Sequence, residues 1–531
     1  MRHRLGGFLT AALLTLTCFG VPASATVDTG QVVRTPSGLL RGSIAERTRL
    51  FQGIPFAAPP VGAARWRPPD AADRWTGIRD ATKPGARCAQ DAGQGTPVST
   101  EEDCLYLNVT TPRTPPRHRP LPVLVWLHSG GFISGSGADQ HVERLAAAGR
   151  MIIVTPNYRL GVFAYFGHPT LAGSGGFGLQ DQQAALRWVR THIAAFGGDP
   201  GNVTLGGSSA GAMTACAHLT SPTAAGLFHR LLMQSGGCSQ TWPANGIYPG
   251  QPPGATWIPS AEVASAGVSL AVARGCRDPA SAVDCLRQVP AKDLLYDEVA
   301  SALPGPGYGN DVLPVDPAQA LRDGRFHRVP VLTGTTRDEG RHFAAVLWPQ
   351  PITPQRYQET LVESFGDHAP RVLARYSIEA FGSAGLAWAT VLGDRVWTCT
   401  ALSGMRSLAR HTRVYAYEFA DRAAPPFTEF PADIPSGAYH TSEVAYLIDV
   451  EGFRPELSPE QRRLATTMTR QWAGFVAGGT PNGHGLPQWP AFTFPATPEK
   501  TLSLDTGPGG VHTVDDLAQR HNCAFWSTIP A

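Results

Sequence analysis

The pentapeptide Gly207-Ser208-Ser209-Ala210-Gly211 fits the pattern Gly-x-Ser-x-Gly, in which a serine is turned out at the end of a strand to attack a carbonyl carbon. Its neighbours suit that use. A strand-like run, Asn202 to Gly207, precedes it and a helix-like run, Ala210 to Leu219, follows. The glycines permit a sharp turn that a Cβ would obstruct, and Ser209 then sits at a helix N-terminus, where N–H groups favour negative charge. Upstream, the apolar run Val123–Leu127 leads into His128-Ser129-Gly130-Gly131-Phe132. Two glycines after a strand can aim backbone N–H groups at a developing oxyanion, and losing one such donor costs about 10²–10³ in rate. Gly130, Gly131 and the N–H of Ala210 are the candidate donors. A serine hydroxyl also needs a base, and the base a carboxylate to orient it. With 16 histidines, composition cannot choose one. The chain order serine, acid, histidine directs the search beyond Ser209, to Asp338 and Glu339 after the strand-like Val329–Thr336, and to His440 in Gly437-Ala438-Tyr439-His440. Residue types alone leave these assignments open.

Positioning such groups requires a rigid frame. β-rich apolar runs recur at Pro122–Leu127, Met151–Thr155, Val203–Leu205, Leu231–Gln234, Val329–Thr333 and Val414–Phe419, several apolar on both faces, as in strands covered on both sides. Between them, Gln182–Ala195 has Leu186, Val189 and Ile193 at helical spacing, with Asp181 as an expected N-cap. Alternating strand and helix predicts an α/β fold with a mostly parallel central sheet flanked by helices. Thr241–Gly307, rich in Gly, Pro and Ala, is expected to form helices and loops over one end of the sheet. Pro459–Ala477 predicts a late helix with Leu464, Met468, Trp472 and Phe475 packed on the core.

The 531 residues carry 44 Lys and Arg against 42 Asp and Glu. No charge imbalance is available to attract nucleic acid or an anionic membrane. A basic start (Arg2, Arg4), an apolar run from Leu5 to Val21 and Ala23-Ser24-Ala25 read as a signal peptide cleaved after Ala25. Residues 26–531 are then expected to be a single domain, exported, with no membrane span. Eight of the nine cysteines follow the leader, and an even number in an exported chain favours disulfides. No CxxC pair or HExxH helix suggests a metal, and no cofactor is implied.

Together these motifs resemble the type B carboxylesterase family, which includes the cholinesterases, from about Val32 to the C-terminus. Phe51-Gln52-Gly53-Ile54-Pro55-Phe56-Ala57-Ala58-Pro59-Pro60-Val61-Gly62 is similar to its N-terminal signature, and Glu102-Asp103-Cys104-Leu105-Tyr106-Leu107-Asn108-Val109 to its second. Asn157-Tyr158-Arg159-Leu160-Gly161, Asp181-Gln182-Gln183, Ala195–Pro200 and Gln234-Ser235-Gly236 follow in family order. The resemblance implies an α/β-hydrolase fold, a small-molecule ester as substrate, and a triad of Ser209, Glu339 and His440. Ser235 resembles a serine that hydrogen-bonds near the triad; a plain strand end is the other reading. Disulfides Cys88–Cys104, Cys276–Cys285 and Cys399–Cys523 are implied by family pairing, as are the structural ion pairs Arg65–Glu102 and Arg159–Asp181. Cys216 and Cys238 have no family counterpart and, flanking the nucleophile helix and the next strand, are a hypothetical fourth disulfide. Two departures stand out. Ser208 replaces the usual Glu before the nucleophile, which argues against choline esters, and Ser129 replaces the first of three glycines while sparing both donor glycines. An amidase, carbamate hydrolase or acyltransferase using the same triad is the alternative activity; a binding protein resembling the neuroligin-like relatives is the non-catalytic one.

Overall fold

The computed structural model describes residues 31–92, 97–114, 119–301, 305–496, 498–507 and 509–530. The expected signal peptide, residues 1–25, lies outside them. The frame is an eleven-stranded sheet. In chain order its strands are β1 (Ser43–Ile44), β2 (Thr48–Pro55), β3 (Tyr106–Pro112), β4 (Leu121–Leu127), β5 (Ile152–Pro156), β6 (Gly198–Ser208), β7 (Arg230–Gln234), β8 (Val331–Thr336), β9 (Val414–Phe419), β10 (Thr501–Leu504) and β11 (His512–Val514). Their spatial order is β11-β10-β9-β8-β7-β6-β4-β5-β3-β2-β1. The stretch from β10 to β5 is parallel, and antiparallel pairs close both edges. This is the mostly parallel sheet that the alternating pattern predicts, in the α/β-hydrolase fold that the resemblance implies.

Period-two alternation explains how β4 is buried on both faces. Val123, Val125 and Leu127 enter the core layer that also holds Leu186 and Val189, whereas Leu124 and Trp126 enter the opposite layer with Leu464, Met468 and Trp472. Pro459–Gly478 supplies that second layer. Its start is fixed by Ser458, which accepts from the Gln461 N–H while the Gln461 side chain accepts from the Ser458 N–H. Fully burying Leu464, Met468, Trp472 or Phe475 contributes about 1.5–3 kcal/mol apiece.

One shifted helix boundary changes the part a residue plays. The helix expected from Gln182 runs from Phe177 to His192, because buried Phe177 and Leu179 extend its packed face by a turn. Asp181 is therefore not an N-cap. It lies inside the helix, wholly buried, and takes a forked ion pair from Arg159 at 2.7 and 2.8 Å together with the Arg159 N–H at 3.1 Å. Arg65 and Glu102 form the second ion pair. Thr241–Gly307 contains helices at Ser260–Ala273, Ala282–Arg287 and Ala291–Leu295, packed on Trp66, Phe163 and Phe166.

Four disulfides are present: Cys88–Cys104, Cys276–Cys285, Cys399–Cys523 and Cys216–Cys238. Such a set belongs in an oxidising compartment. No helix among the described residues is long and apolar enough to cross a membrane.

The last turns of the chain are held by a buried charge cluster. His521 bonds Asp394 through Nδ1 at 2.6 Å and Glu418 on β9 through Nε2 at 2.8 Å. Glu418 also pairs with Arg337 at 2.6 Å and with Arg520, and Tyr376 donates to Asp394 at 2.7 Å. Burial opposes a charge on His521, but the two carboxylates outweigh it and push its pKa up to about 10. Burial also works against ionised Glu418; His521 and Arg337 overcome it and hold the carboxyl down at about 2.

Candidate active site

The sharp turn between β6 and the helix Ala210–Thr220 puts Ser209 at φ 53°, ψ −124°, a strained conformation for a residue with a side chain. Close packing sustains it. A Cβ on Gly207 would lie 2.7 Å from the Leu127 carbonyl oxygen, and one on Gly211 would lie 2.7 Å from that of His128. Only glycines let the end of β4, at Leu127 and His128, settle this tightly against the turn that carries Ser209.

Gly130 itself sits at φ 117°, outside the reach of ordinary residues. Its carbonyl accepts from the N–H groups of Ile133 and Ser134, closing the loop. The N–H groups of Gly130, Gly131 and Ala210 donate to no carbonyl among the described residues. His128, stacked on Tyr158 at 4.2 Å, accepts Tyr158 OH at its carbonyl; burial pushes its pKa down to about 4. It stiffens the loop as a neutral ring.

His440 Nε2 is 2.9 Å from Ser209 Oγ, and His440 Nδ1 is 2.5 Å from Glu339 Oε2. The other oxygen of Glu339 accepts the Thr336 N–H at 2.8 Å. Glu339 is fully buried and His440 nearly so, whereas Ser209 is half-buried and can be reached from outside. The sequence left Asp338 and Glu339 open as residues, and their contacts differ. Asp338 turns away to accept from Arg422 at 2.9 Å and the Ala438 N–H at 3.0 Å, tying the His440 loop to the end of β8. Neutral His440 can take the Ser209 proton, and Glu339 can hold the imidazolium that results.

Ser235 does not touch the three groups. Its hydroxyl donates to Glu443 Oε1 at 3.3 Å, and the same oxygen accepts from Gln234 at 3.3 Å and Tyr417 at 3.1 Å. Sequence reasoning passed over Glu443, although it lies three residues beyond His440 in a short helical turn, Ser442–Tyr446. Burial, reinforced by the charge of Glu339, pushes its pKa up to about 7. A second carboxyl therefore stands behind the site with a weakened tendency to ionise.

Aromatic rings enclose His440. Trp397 is centred 4.2 Å away, Phe343 5.0 Å and His342 6.0 Å; Trp242 closes on Phe343 and Trp397, and Phe427 on His342. Trp242 comes from the Thr241–Gly307 stretch expected over one end of the sheet, His342 from the helix Gly340–Val346 after β8, and Phe427 from the loop after β9. Trp397 comes from a π-helical turn, Gly393–Thr398, within a helical block that carries no motif. Among the described residues, no group of three or more His, Cys, Asp or Glu side chains could hold a metal ion.

The model of the carboxylesterase family matches residues 29–526. The chain belongs to the carboxylesterase family. It is 31% identical to a pyrethroid hydrolase of Mus musculus over 95% of this chain and 92% of that protein. It is 31% identical to the para-nitrobenzyl esterase of Bacillus subtilis (90% and 95%) and 31% identical to a cocaine esterase of Oryctolagus cuniculus (95% and 97%). This carboxylesterase is accordingly a carboxylic ester hydrolase.

Proposed function

We propose that the protein is a secreted serine carboxylesterase that works through an acyl-enzyme. The observation that carries this reading is the hydrogen-bonded series Ser209 Oγ, His440 Nε2, His440 Nδ1, Glu339 Oε2, at 2.9 and 2.5 Å, ending on a half-buried hydroxyl. Ser209 Oγ attacks the ester carbonyl as its proton passes to His440 Nε2. The oxyanion is received by the N–H groups of Gly130, Gly131 and Ala210. His440 then protonates the departing alcohol, and water, deprotonated by the same imidazole, releases the acid. Export is supported by the four disulfides and by the leader read at residues 1–25.

The test is hydrolysis of a short-chain p-nitrophenyl ester by the purified protein beside Ser209→Ala. A fall in kcat of at least about 10⁴-fold, with an unchanged melting temperature, is expected. A fluorophosphonate should phosphonylate Ser209 with loss of fluoride, adding the reagent's mass less HF to the parent protein and nothing to the variant. Equal activity in the two proteins would refute Ser209 as nucleophile.

A further inference from the structure

His342 is a buried polar side chain beside His440 whose presence the reaction leaves unexplained. It is 5% exposed, and no group in the described protein hydrogen-bonds to its ring. Nδ1 is sealed without a partner. Nε2 makes no hydrogen bond to the described protein either, but it is not among the fully sealed polar atoms. The ring is centred 6.0 Å from that of His440, 5.1 Å from Phe343 and 5.2 Å from Phe427. Phe or Leu would fill such apolar surroundings without the cost of desolvating an imidazole.

The chemistry of the ring limits what it can offer. Burial, aided by nearby His440, pushes its pKa down to about 3, so it is uncharged in use. A neutral imidazole has one N–H and one bare nitrogen. Among buried backbone groups an orphaned N–H is rarer than an under-satisfied acceptor, and the ring is read by the same asymmetry. The tautomer that fits has bare Nδ1 sealed in the wall and the hydrogen on Nε2, the nitrogen that is not sealed. His342 thus presents one hydrogen-bond donor beside the catalytic imidazole.

The side of the ester it meets follows from the reaction. The leaving oxygen must lie within hydrogen-bond reach of His440 Nε2 to take its proton, so the alcohol portion lies along the wall around His440. An atom two or three bonds beyond that oxygen comes into the range of a ring centred 6.0 Å away. We propose that His342 donates a hydrogen bond from Nε2 to an oxygen in the alcohol portion of the substrate, two to three bonds from the ester oxygen, so that the enzyme selects esters of ether- or hydroxyl-bearing alcohols over esters of plain alkanols. This rests on the roles given to Ser209 and His440 above.

The test compares 2-methoxyethyl butyrate with butyl butyrate, which differ by an oxygen in place of a methylene. The ratio of kcat/KM is divided by the ratio of their rates of alkaline hydrolysis to remove intrinsic reactivity. The parent enzyme should prefer the ether ester by about tenfold, the cost of leaving a buried polar group unpaired. His342→Phe should bring the ratio near one, and His342→Gln, which keeps an N–H donor, should retain part of the preference. Circular dichroism and melting temperature identify variants that fold, and the parent ratio needs no variant.

A parent ratio near one overturns the proposal, as does a preference that persists in folded His342→Phe. A preference seen only when the ether oxygen is moved into the acyl portion, as in methyl 4-methoxybutanoate against methyl hexanoate, overturns it too. All three outcomes leave Ser209 as nucleophile intact. Failure of that reading would appear separately, as hydrolysis undiminished in Ser209→Ala.

Discussion

Two buried histidines, His440 and His521, both bond to carboxylates, yet their surroundings give them opposite work. His440 has one carboxylate, Glu339, and a hydroxyl on its other nitrogen. His521 has a carboxylate on each nitrogen, and arginines surround the second of them. Two fixed anions hold a proton on His521 far above neutrality, so the ring becomes a permanent cation that pins the C-terminal segment. His440, with a single carboxylate, keeps its other nitrogen on the Ser209 hydroxyl. The second carboxyl near the triad, Glu443, is disfavoured as an anion by burial. On the roles proposed above, what separates catalysis from scaffolding is the number of carboxylates bonded to the imidazole, not its burial.

The comparison can be broken most severely at Glu339. Glu339→Gln removes the sole anion on His440 and should lower kcat by about 10³–10⁴-fold with little change in melting temperature, read by p-nitrophenyl ester kinetics and calorimetry. The matching change in the other cluster should do the reverse. His521→Asn strands Asp394 and Glu418 and should cost about 3–5 kcal/mol in urea unfolding, while kcat of the folded enzyme holds. It should also change the pH profile. A cation whose pKa rises from 6.5 to about 10 on folding contributes fully below pH 6.5 and is lost as pH rises through 10. That alkaline decline in stability should flatten in the variant.

Glu443 sharpens the comparison further. Its pKa rises from 4.5 to about 7 on folding, so folding takes up a proton between those values and stability falls as pH climbs through that window. Glu443→Gln mimics the protonated form. It should be the more stable protein above pH 7, by on the order of 3 kcal/mol, and level with the parent near pH 4.5; equal pH profiles would contradict the idea. The smallest effect is expected at Ser129. Its φ is not positive and its side chain makes no hydrogen bond, so Ser129→Gly should lose only about 0.4–1 kcal/mol, through chain entropy, with kcat/KM nearly unchanged.

Much of this was legible in the chain because local sequence carries it. Gly207 and Gly211 around Ser209 announce a turn that only glycine tolerates, and the apolar runs of β4 and β7 can be satisfied only between layers. Asp181 was misread because an acidic residue ahead of an apolar helical face has the same pattern as an N-cap. Whether it caps or is buried against Arg159 depends on a partner 22 residues away. Glu443 and Trp397 were not singled out, since a Glu in a short turn and a Trp in a motif-free helical block acquire meaning only from their neighbours.

The sequence by itself determined the six central parallel strands of the sheet, the turn at Ser209 and the candidate donors, all set by residues adjacent in the chain or repeating at a fixed period. Tertiary structure decided which histidine meets Ser209, that Asp338 turns away while Glu339 faces His440, and that His342 is left without a partner. Those outcomes depend on contacts across 100 residues and more. An imidazole or carboxyl takes its proton affinity from the charges and the water around it, and only the folded chain sets those.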